Sequence, residues 1–113
     1  MATKLSAEEV LRYQQDGVVA PVTVMSPSVA KELRRRLESV EKCFPQQIGP
    51  EKRNNAHYLL ACLDEIVHHE ELLDAVECLI GPDIILTNTV LFIKEPNSLH
   101  HVTYHQDATY MGL

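Results

Sequence analysis

The sequence predicts an α+β fold in which helices of the N-terminal part pack against a β-sheet. The helices are indicated by apolar residues that recur at helical spacing in four segments before residue 81. The sheet is indicated by Ile84–Lys94, which is rich in β-branched residues and apolar at both ends, as in a central strand covered on both faces. This run argues against an all-α bundle. Strands and helices do not alternate, which argues against a parallel α/β repeat.

Local end signals define the first two helices. Ser6 and Glu9 have the spacing of a capping box, which predicts a helix from about Ala7 to Gln15. Ser26 followed by Pro27 is an N-cap with proline at the first helical position, and it predicts a second helix that ends near residue 43. Both predictions depend on short-range chemistry alone.

Apolar spacing predicts two further helices, over about residues 59–67 and 72–80, and Gly81-Pro82 ends the second. The polar stretch 45–55 contains Gly49-Pro50 and is interpreted as an exposed loop. It separates the first pair of helices from the second.

Three segments are predicted to be strands. Residues 17–24 are short and β-branched, and Pro21 assigns them to a sheet edge or a bulge. Residues 84–94 are predicted to form the central strand, and residues 102–107 the last strand. Thr89 lies in the middle of the central strand, where it either faces a pocket or forms hydrogen bonds inside a barrel. Because the strands are few, the sheet is expected to be incomplete.

Composition limits both the size and the partners of the protein. The 113 residues form a single domain, 1–113, with a formal net charge of −6 at pH 7. This acidic balance argues against binding to nucleic acid or to an anionic membrane. The three cysteines contain no CxxC pair and are typical of reduced cytoplasmic thiols. No segment has the pattern of a signal peptide or a membrane span, so we expect a cytoplasmic protein.

The residues with the clearest chemical potential are His105 and Asp107. On a strand, residues i and i+2 point to the same face, so the imidazole and the carboxylate could reach one metal ion. One His and one Asp are two of the three ligands of the 2-His-1-carboxylate triad that binds non-haem Fe(II). The alternative interpretation is a surface pair near the end of the chain, because such triplets also arise by chance.

Several segments, taken in order, resemble the N-terminal part of the phytanoyl-CoA dioxygenase family of Fe(II)/2-oxoglutarate-dependent oxygenases. The resemblance covers nearly the whole chain. The segments that carry it are Asp16-Gly17-Val-Val-Ala-Pro, His57-Tyr-Leu-Leu, Leu72–Ile84, Leu91-Phe-Ile-Lys94-Glu-Pro96 and His105-Gln106-Asp107-Ala-Thr-Tyr. The fold that the family implies is a double-stranded β-helix, a jelly-roll-like barrel with helices outside it. This chain would carry part of that barrel, an incomplete one.

The resemblance also assigns roles to individual residues. His105 and Asp107 match the first two iron ligands of the family. Val90 and Gln106 match positions that contact the co-substrate 2-oxoglutarate. His57 lies near another such position, for which Arg53 is the rival. The second iron-binding His and the Arg that pairs with 2-oxoglutarate belong to a part of the family pattern beyond Leu113.

The implied function is hydroxylation of a small organic substrate, with Fe(II) as cofactor and 2-oxoglutarate and O2 as co-substrates. The chain alone is expected to be inactive and to bind Fe(II) weakly, because two protein ligands leave the triad incomplete. A different hypothesis is a non-catalytic interaction or regulatory module. We further expect self-association through an exposed sheet at Ile84–Lys94, since an unpaired strand edge is a template for another chain.

Overall fold

The structure, a computed structural model, describes residues 4–48, 54–94, 96–99 and 101–106. Four α-helices are named in chain order, and a short 3₁₀ helix (Ala56–Tyr58) precedes the third of them. The α-helices are α1 (Ala7–Asp16), α2 (Pro27–Cys43), α3 (Ala61–Val67) and α4 (Glu70–Ile80). All of these helices lie before residue 81, and the described residues after it are irregular.

The predicted β-sheet is wrong. Within the described ranges there is no β-strand, and the strand-like pairing is limited to one isolated antiparallel bridge between Asn54 and Val90. The α+β class, the double-stranded β-helix and the jelly-roll barrel are therefore wrong for the described part of the chain, which is helical. The predicted self-association through Ile84–Lys94 stays a prediction, although the described residues form no sheet there.

The three strand predictions fail because β-propensity describes how well a residue fits a pleated surface that already has neighbours. Residues 17–24, 84–94 and 102–106 are irregular, although the second of these segments contains the bridge at Val90. A strand needs a second backbone at hydrogen-bonding distance. The described part of the chain supplies one at a single point.

The predicted ends of α1 and α2 are confirmed. The Oγ of Ser6 accepts a hydrogen bond from Glu9 N at 3.3 Å, and Ser6 N donates to Glu9 Oε2 at 2.8 Å, which completes the capping box. The Oγ of Ser26 accepts from Val29 N at 3.3 Å, with proline in the first turn of α2. Each helix therefore begins at a side chain that binds its unpaired backbone N–H groups.

The second pair of helices is also present, with shifted bounds. The helix predicted from residue 59 begins at Ala61, because Ala56–Tyr58 forms a separate 3₁₀ turn. The helix predicted from residue 72 begins earlier, at Glu70, and ends before Gly81, whose φ of 87° and ψ of 179° do not continue a helix. The predicted stop at Gly81-Pro82 is confirmed.

A small apolar core joins α2 to the segments around α3. Leu37 and Val40 of α2 and Leu91 of the segment after α4 pack against this core. Ile48 belongs to the core, which corrects the prediction that residues 45–55 are an exposed loop, although part of that stretch lies outside the described residues. The buried members of the core are Leu33, Ile48, Ala56, Leu60, Cys62 and Leu63.

One ion pair connects α2 and α3 across the outside of this core. The guanidinium of Arg36 donates to both carboxylate oxygens of Glu65, at 2.6 and 2.7 Å. This hydrogen bonding holds the pKa of the Glu65 carboxyl below its ordinary value and raises the pKa of Arg36. The neighbours Arg34 and Arg35 pair with glutamates of their own helix, Glu38 and Glu32, so the basic run forms a solvated helix surface.

The Arg36–Glu65 pair predicts an acid-dependent loss of stability. Because the pKa of Glu65 is lower in the folded chain than in the unfolded chain, the pair stabilises the fold above the ordinary carboxyl pKa. That contribution disappears as the pH falls through the lowered pKa. We expect urea unfolding to show a smaller loss of stability on acidification in Glu65→Gln than in the wild type. The control is Glu77→Gln, an exposed position on α4 without an ion pair among the described residues. Equal acid sensitivity of wild type and Glu65→Gln would contradict the prediction.

The thiols of Cys43, Cys62 and Cys78 are free, with Cys62 buried and Cys43 exposed. Among the helices of the described residues, none combines the length and the apolar character needed to cross a bilayer.

Candidate functional site

A part-buried polar contact joins the 3₁₀ helix to the segment after α4. His57 is 6% exposed, and its Nδ1 lies 2.6 Å from Thr89 Oγ1. The two residues are 32 positions apart, so this contact fixes the course of the chain rather than a local turn. The imidazole also stacks obliquely on Tyr58, with ring centroids 4.1 Å apart.

Asn55 forms two hydrogen bonds with the backbone of the same threonine. Asn55 N donates to Thr89 O at 2.7 Å, and Thr89 N donates to Asn55 Oδ1 at 3.0 Å. Asn55 adopts the left-handed conformation, with φ 55° and ψ 30°, which asparagine tolerates better than most residues. We call the group Asn55, His57 and Thr89 the Thr89 clamp. It satisfies the N–H, the C=O and the hydroxyl of Thr89 together.

The clamp brings two of the predicted site residues near each other. Val90 follows Thr89 directly and forms the bridge with Asn54, so it lies beside the residues that surround His57. His57 and Val90 are the positions that the family resemblance assigns to the 2-oxoglutarate pocket. Their proximity does not follow from their separation of 33 residues in the sequence, and it arises from the clamp.

The other predicted site residues lie on the irregular segment 101–106. The Nδ1 of His105 is 2.7 Å from the carbonyl oxygen of Thr103. A carbonyl can only accept, so Nδ1 carries a proton, and a metal ion would have to be bound through Nε2. Gln106 is exposed. Asp107 lies outside the described residues, and the predicted convergence of His105 and Asp107 stays a prediction.

The described residues do not form a metal centre by themselves. Among them, no group of three or more His, Cys, Asp or Glu side chains is arranged to hold a metal ion. The hydrogen bond from Nδ1 of His105 is local to residues 103–105. Arg53, the rival of His57, also lies outside the described residues.

The sequence indicates two members of the clamp, His57 and Thr89, and does not indicate the third, Asn55. The sequence leaves open whether Thr89 faces a pocket or forms hydrogen bonds in the interior, and in the structure it forms hydrogen bonds. Asn55 was assigned to an exposed loop. The signal that could have indicated it is the pair Asn54-Asn55, since asparagine is favoured where the backbone turns through the left-handed region.

The clamp predicts energetic coupling between His57 and Thr89. Thr89→Val and His57→Leu should each lower the free energy of unfolding by about 1–3 kcal/mol, because each leaves a partly or fully buried polar partner unsatisfied. The double variant should lose less than the sum of both changes, with a coupling of about 0.5–3 kcal/mol. Urea unfolding of the four proteins measures this coupling, and strict additivity would contradict the prediction. Thr87→Val, an exposed change in the same segment, is the matched control.

Comparison of the chain with protein-family models, with curated proteins and with solved structures found no match.

Proposed function

We propose that this chain provides part of the active site of an Fe(II)/2-oxoglutarate-dependent dioxygenase that hydroxylates a small organic substrate. The observation that carries the proposal is the proximity of His57 and Val90 at the Thr89 clamp. The sequence resemblance assigns both residues to one co-substrate pocket. The His105-x-Asp107 spacing adds two metal-ligand types on one short segment.

The proposed roles follow from the chemistry of each residue. His57 has one ring nitrogen occupied by Thr89, so its other nitrogen is the one that would face a carboxylate of 2-oxoglutarate. Val90 would supply an apolar wall beside it, and Gln106 an amide that hydrogen-bonds the co-substrate. His105 would hold the metal through Nε2, and Asp107 would hold it through its carboxylate. Bound Fe(II), with 2-oxoglutarate and O2, supplies the oxidising chemistry.

Turnover of 2-oxoglutarate tests the proposal directly. Succinate formation is measured with Fe(II) and O2 on the natural protein in which this sequence occurs, and on its Asp107→Ala variant. We expect Asp107→Ala to abolish succinate formation, because it removes a charged metal ligand. Asp83→Ala removes an exposed carboxylate elsewhere in the chain and should retain activity. Equal succinate formation in wild type and Asp107→Ala would overturn the assignment.

Co-substrate binding separates the role of His57 from its contribution to folding. His57→Gln keeps a hydrogen-bonding side chain, while Thr89→Val removes the partner and leaves the imidazole in place. We expect both variants to raise the KM for 2-oxoglutarate more than they lower kcat, since neither residue is proposed to touch the metal. A fall in kcat at unchanged KM would contradict the pocket assignment of His57.

A second candidate function is favoured by the segment that follows α4. Side chains such as Ile85 and Phe92 are largely exposed there, 86% and 78% respectively, which is unusual for large apolar residues. A non-catalytic interaction module would use such a surface to bind another chain. Absence of succinate formation together with a defined complex would favour this candidate over the enzyme.

A further inference from the structure

The segment Ile84–Phe92, which we call the edge segment, is nearly palindromic in chemical character. Asn88 stands at its centre with a threonine on each side, Thr87 and Thr89. Three apolar residues follow in each direction: Leu86, Ile85 and Ile84 on one side, and Val90, Leu91 and Phe92 on the other. No charged residue lies within the segment. When two copies of such a segment lie antiparallel, residues of the same chemical type stand opposite each other.

One edge of this segment is occupied at Thr89, and among the described residues the other edge has no backbone partner from Leu86 to Phe92. In extended backbone, the N–H and C=O of one residue point to the same edge, and those of the next residue point to the opposite edge. Thr89 uses its N–H and C=O to bind Asn55. The backbone groups of Leu86, Asn88, Val90 and Phe92 alternate with those of Thr89, and none of these four residues has a backbone hydrogen bond to any described residue. Ile84, at the end of this set, donates its N–H to Pro82 O at 3.0 Å.

Three apolar side chains on this set of alternate residues are exposed, whereas Ile84 is half-buried and Ile85, of the other set, is 86% exposed. Leu86 is 47% exposed, Val90 45% and Phe92 78%. Leu91, on the opposite face, packs against the core together with the α2 residues. The edge segment thus presents unpaired backbone groups and apolar side chains at the same positions, which is the arrangement that β-strand addition uses.

We propose that the edge segments of two copies of this chain pair antiparallel, with the two-fold axis at Asn88. In this register Asn88 lies opposite Asn88 of the second copy, Thr87 opposite Thr89, Leu86 opposite Val90, and Ile84 opposite Phe92. Pairs of threonines, and of aromatic with β-branched residues, stabilise antiparallel strands when they face each other. The proposal shares Val90 with the proposed co-substrate pocket, but its test does not rest on the dioxygenase function, because dimerisation is measured without metal or co-substrate.

The self-complementary order of the residues identifies the occupant as a second copy rather than an unrelated strand. An unrelated partner would need no symmetry about Asn88. The pairing is also closed at its centre, because Thr89 is bound to Asn55 and is not available for a third chain. A closed two-fold arrangement gives a dimer, whereas two open edges would give a fibre.

A pair of charge variants tests the register in the full 113-residue chain. Leu86→Lys with Val90→Glu places opposite charges across the proposed interface, and Leu86→Lys with Val90→Lys places like charges there. We expect the second variant to dimerise at least about tenfold more weakly than the first, because two cross-strand attractions become repulsions. Sedimentation equilibrium measures both dissociation constants. Circular dichroism and urea unfolding establish that both variants fold.

The outcomes separate the alternatives. A parallel pairing in register would place Lys opposite Lys and Glu opposite Glu in the first variant, so its dissociation constant would not be the smaller one, and the proposal would be overturned. A wild-type chain that stays monomeric over the measured concentrations, or that forms assemblies without limit, would overturn it as well. The double-lysine variant has the smaller net negative charge, so general repulsion between chains would act against the expected difference.

Cross-linking gives a second measurement, which identifies the residues that lie opposite each other in the dimer. In an antiparallel pair with Asn88 opposite itself, the two Cα atoms lie about 5.5 Å apart, within the range of a disulfide. Asn88→Cys should therefore form a covalent dimer in oxidised glutathione, with the 88–88 linkage identified by mass spectrometry. Leu99→Cys, at an exposed site outside the edge segment, is the control and should form no 99–99 linkage. Absence of the 88–88 disulfide would contradict the proposed axis.

Discussion

Replacing Leu33 with alanine is expected to lower the free energy of unfolding by about 2–5 kcal/mol, the range for removing a large aliphatic side chain from a core. Leu33 is the buried residue of α2, and it lies in the one apolar cluster that joins α2 to Leu60 and Leu63. A domain of this size has a stability of about 5–15 kcal/mol, so this loss is a large fraction of the total. Urea unfolding, followed by circular dichroism of the helices, measures the change.

The matched control for this prediction is Leu59→Ala. Leu59 is 73% exposed in the turn between the 3₁₀ helix and α3, so its truncation removes little buried surface. We expect a change within about 0.5 kcal/mol, as is usual for surface positions. Equal losses for Leu33→Ala and Leu59→Ala would show that the cluster around Leu33 does not stabilise the fold.

Replacing Gly81 with alanine is expected to cost about 1–3 kcal/mol, through the backbone alone. Gly81 has φ 87° and ψ 179°, a region that is open almost only to glycine. A Cβ built at this position meets no atom within 4 Å, so a steric clash with the surroundings is not the cause. Gly81→Asn should cost as much, since asparagine does not favour this region. Equilibrium unfolding in urea measures both variants.

Gly17 provides the comparison that isolates this cause. It ends α1 with φ 73° and ψ 5°, near the left-handed helical region, and a Cβ there also meets no atom within 4 Å. Asparagine is tolerated in that region, so Gly17→Asn should cost only a few tenths of a kcal/mol, roughly as for other favourable C-cap changes. If Gly17→Asn and Gly81→Asn were equally destabilising, the difference in backbone region would not be the explanation.

Local chemistry explains why the helices could be predicted. Ser6 with Glu9, and Ser26 with Pro27, determine helix starts through hydrogen bonds that span three residues. Gly81 determines a helix end through its own backbone conformation. These signals are complete within a few residues of sequence, and the structure contains all of them.

Long-range contacts explain where the sequence failed. Ile84–Lys94 has strong β-propensity, but a strand forms only where another backbone lies beside it, and among the described residues only Asn54 and Asn55 pair with it, at Val90 and Thr89. The turn that brings Asn55 there is 34 residues away in the chain. Pattern and propensity describe what a segment favours, and they do not specify which other segment it will meet.

In the candidate site, too, some residues could be predicted from the sequence, and others depend on long-range contacts. The sequence resemblance selected His57 and Val90, but it could not predict Asn55, because the need for Asn55 arises only from the approach of Thr89. The metal-ligand prediction for His105 and Asp107 remains a prediction. The tautomer of His105 is defined by a carbonyl two residues away, which no spacing rule would have indicated.

The arrangement of α1 has a consequence for the order in which the chain opens. No residue of α1 is buried, and the helix packs on α4, away from the cluster around Leu33. Its backbone amides should therefore exchange with deuterium through detachment of the helix alone, long before those of α2 and α3 exchange through global unfolding. The capping box at Ser6 would slow that detachment, so Ser6→Ala should accelerate exchange in α1 and leave the rates in α2 unchanged. The N-terminal helix is in this sense a separately opening unit on a more stable base.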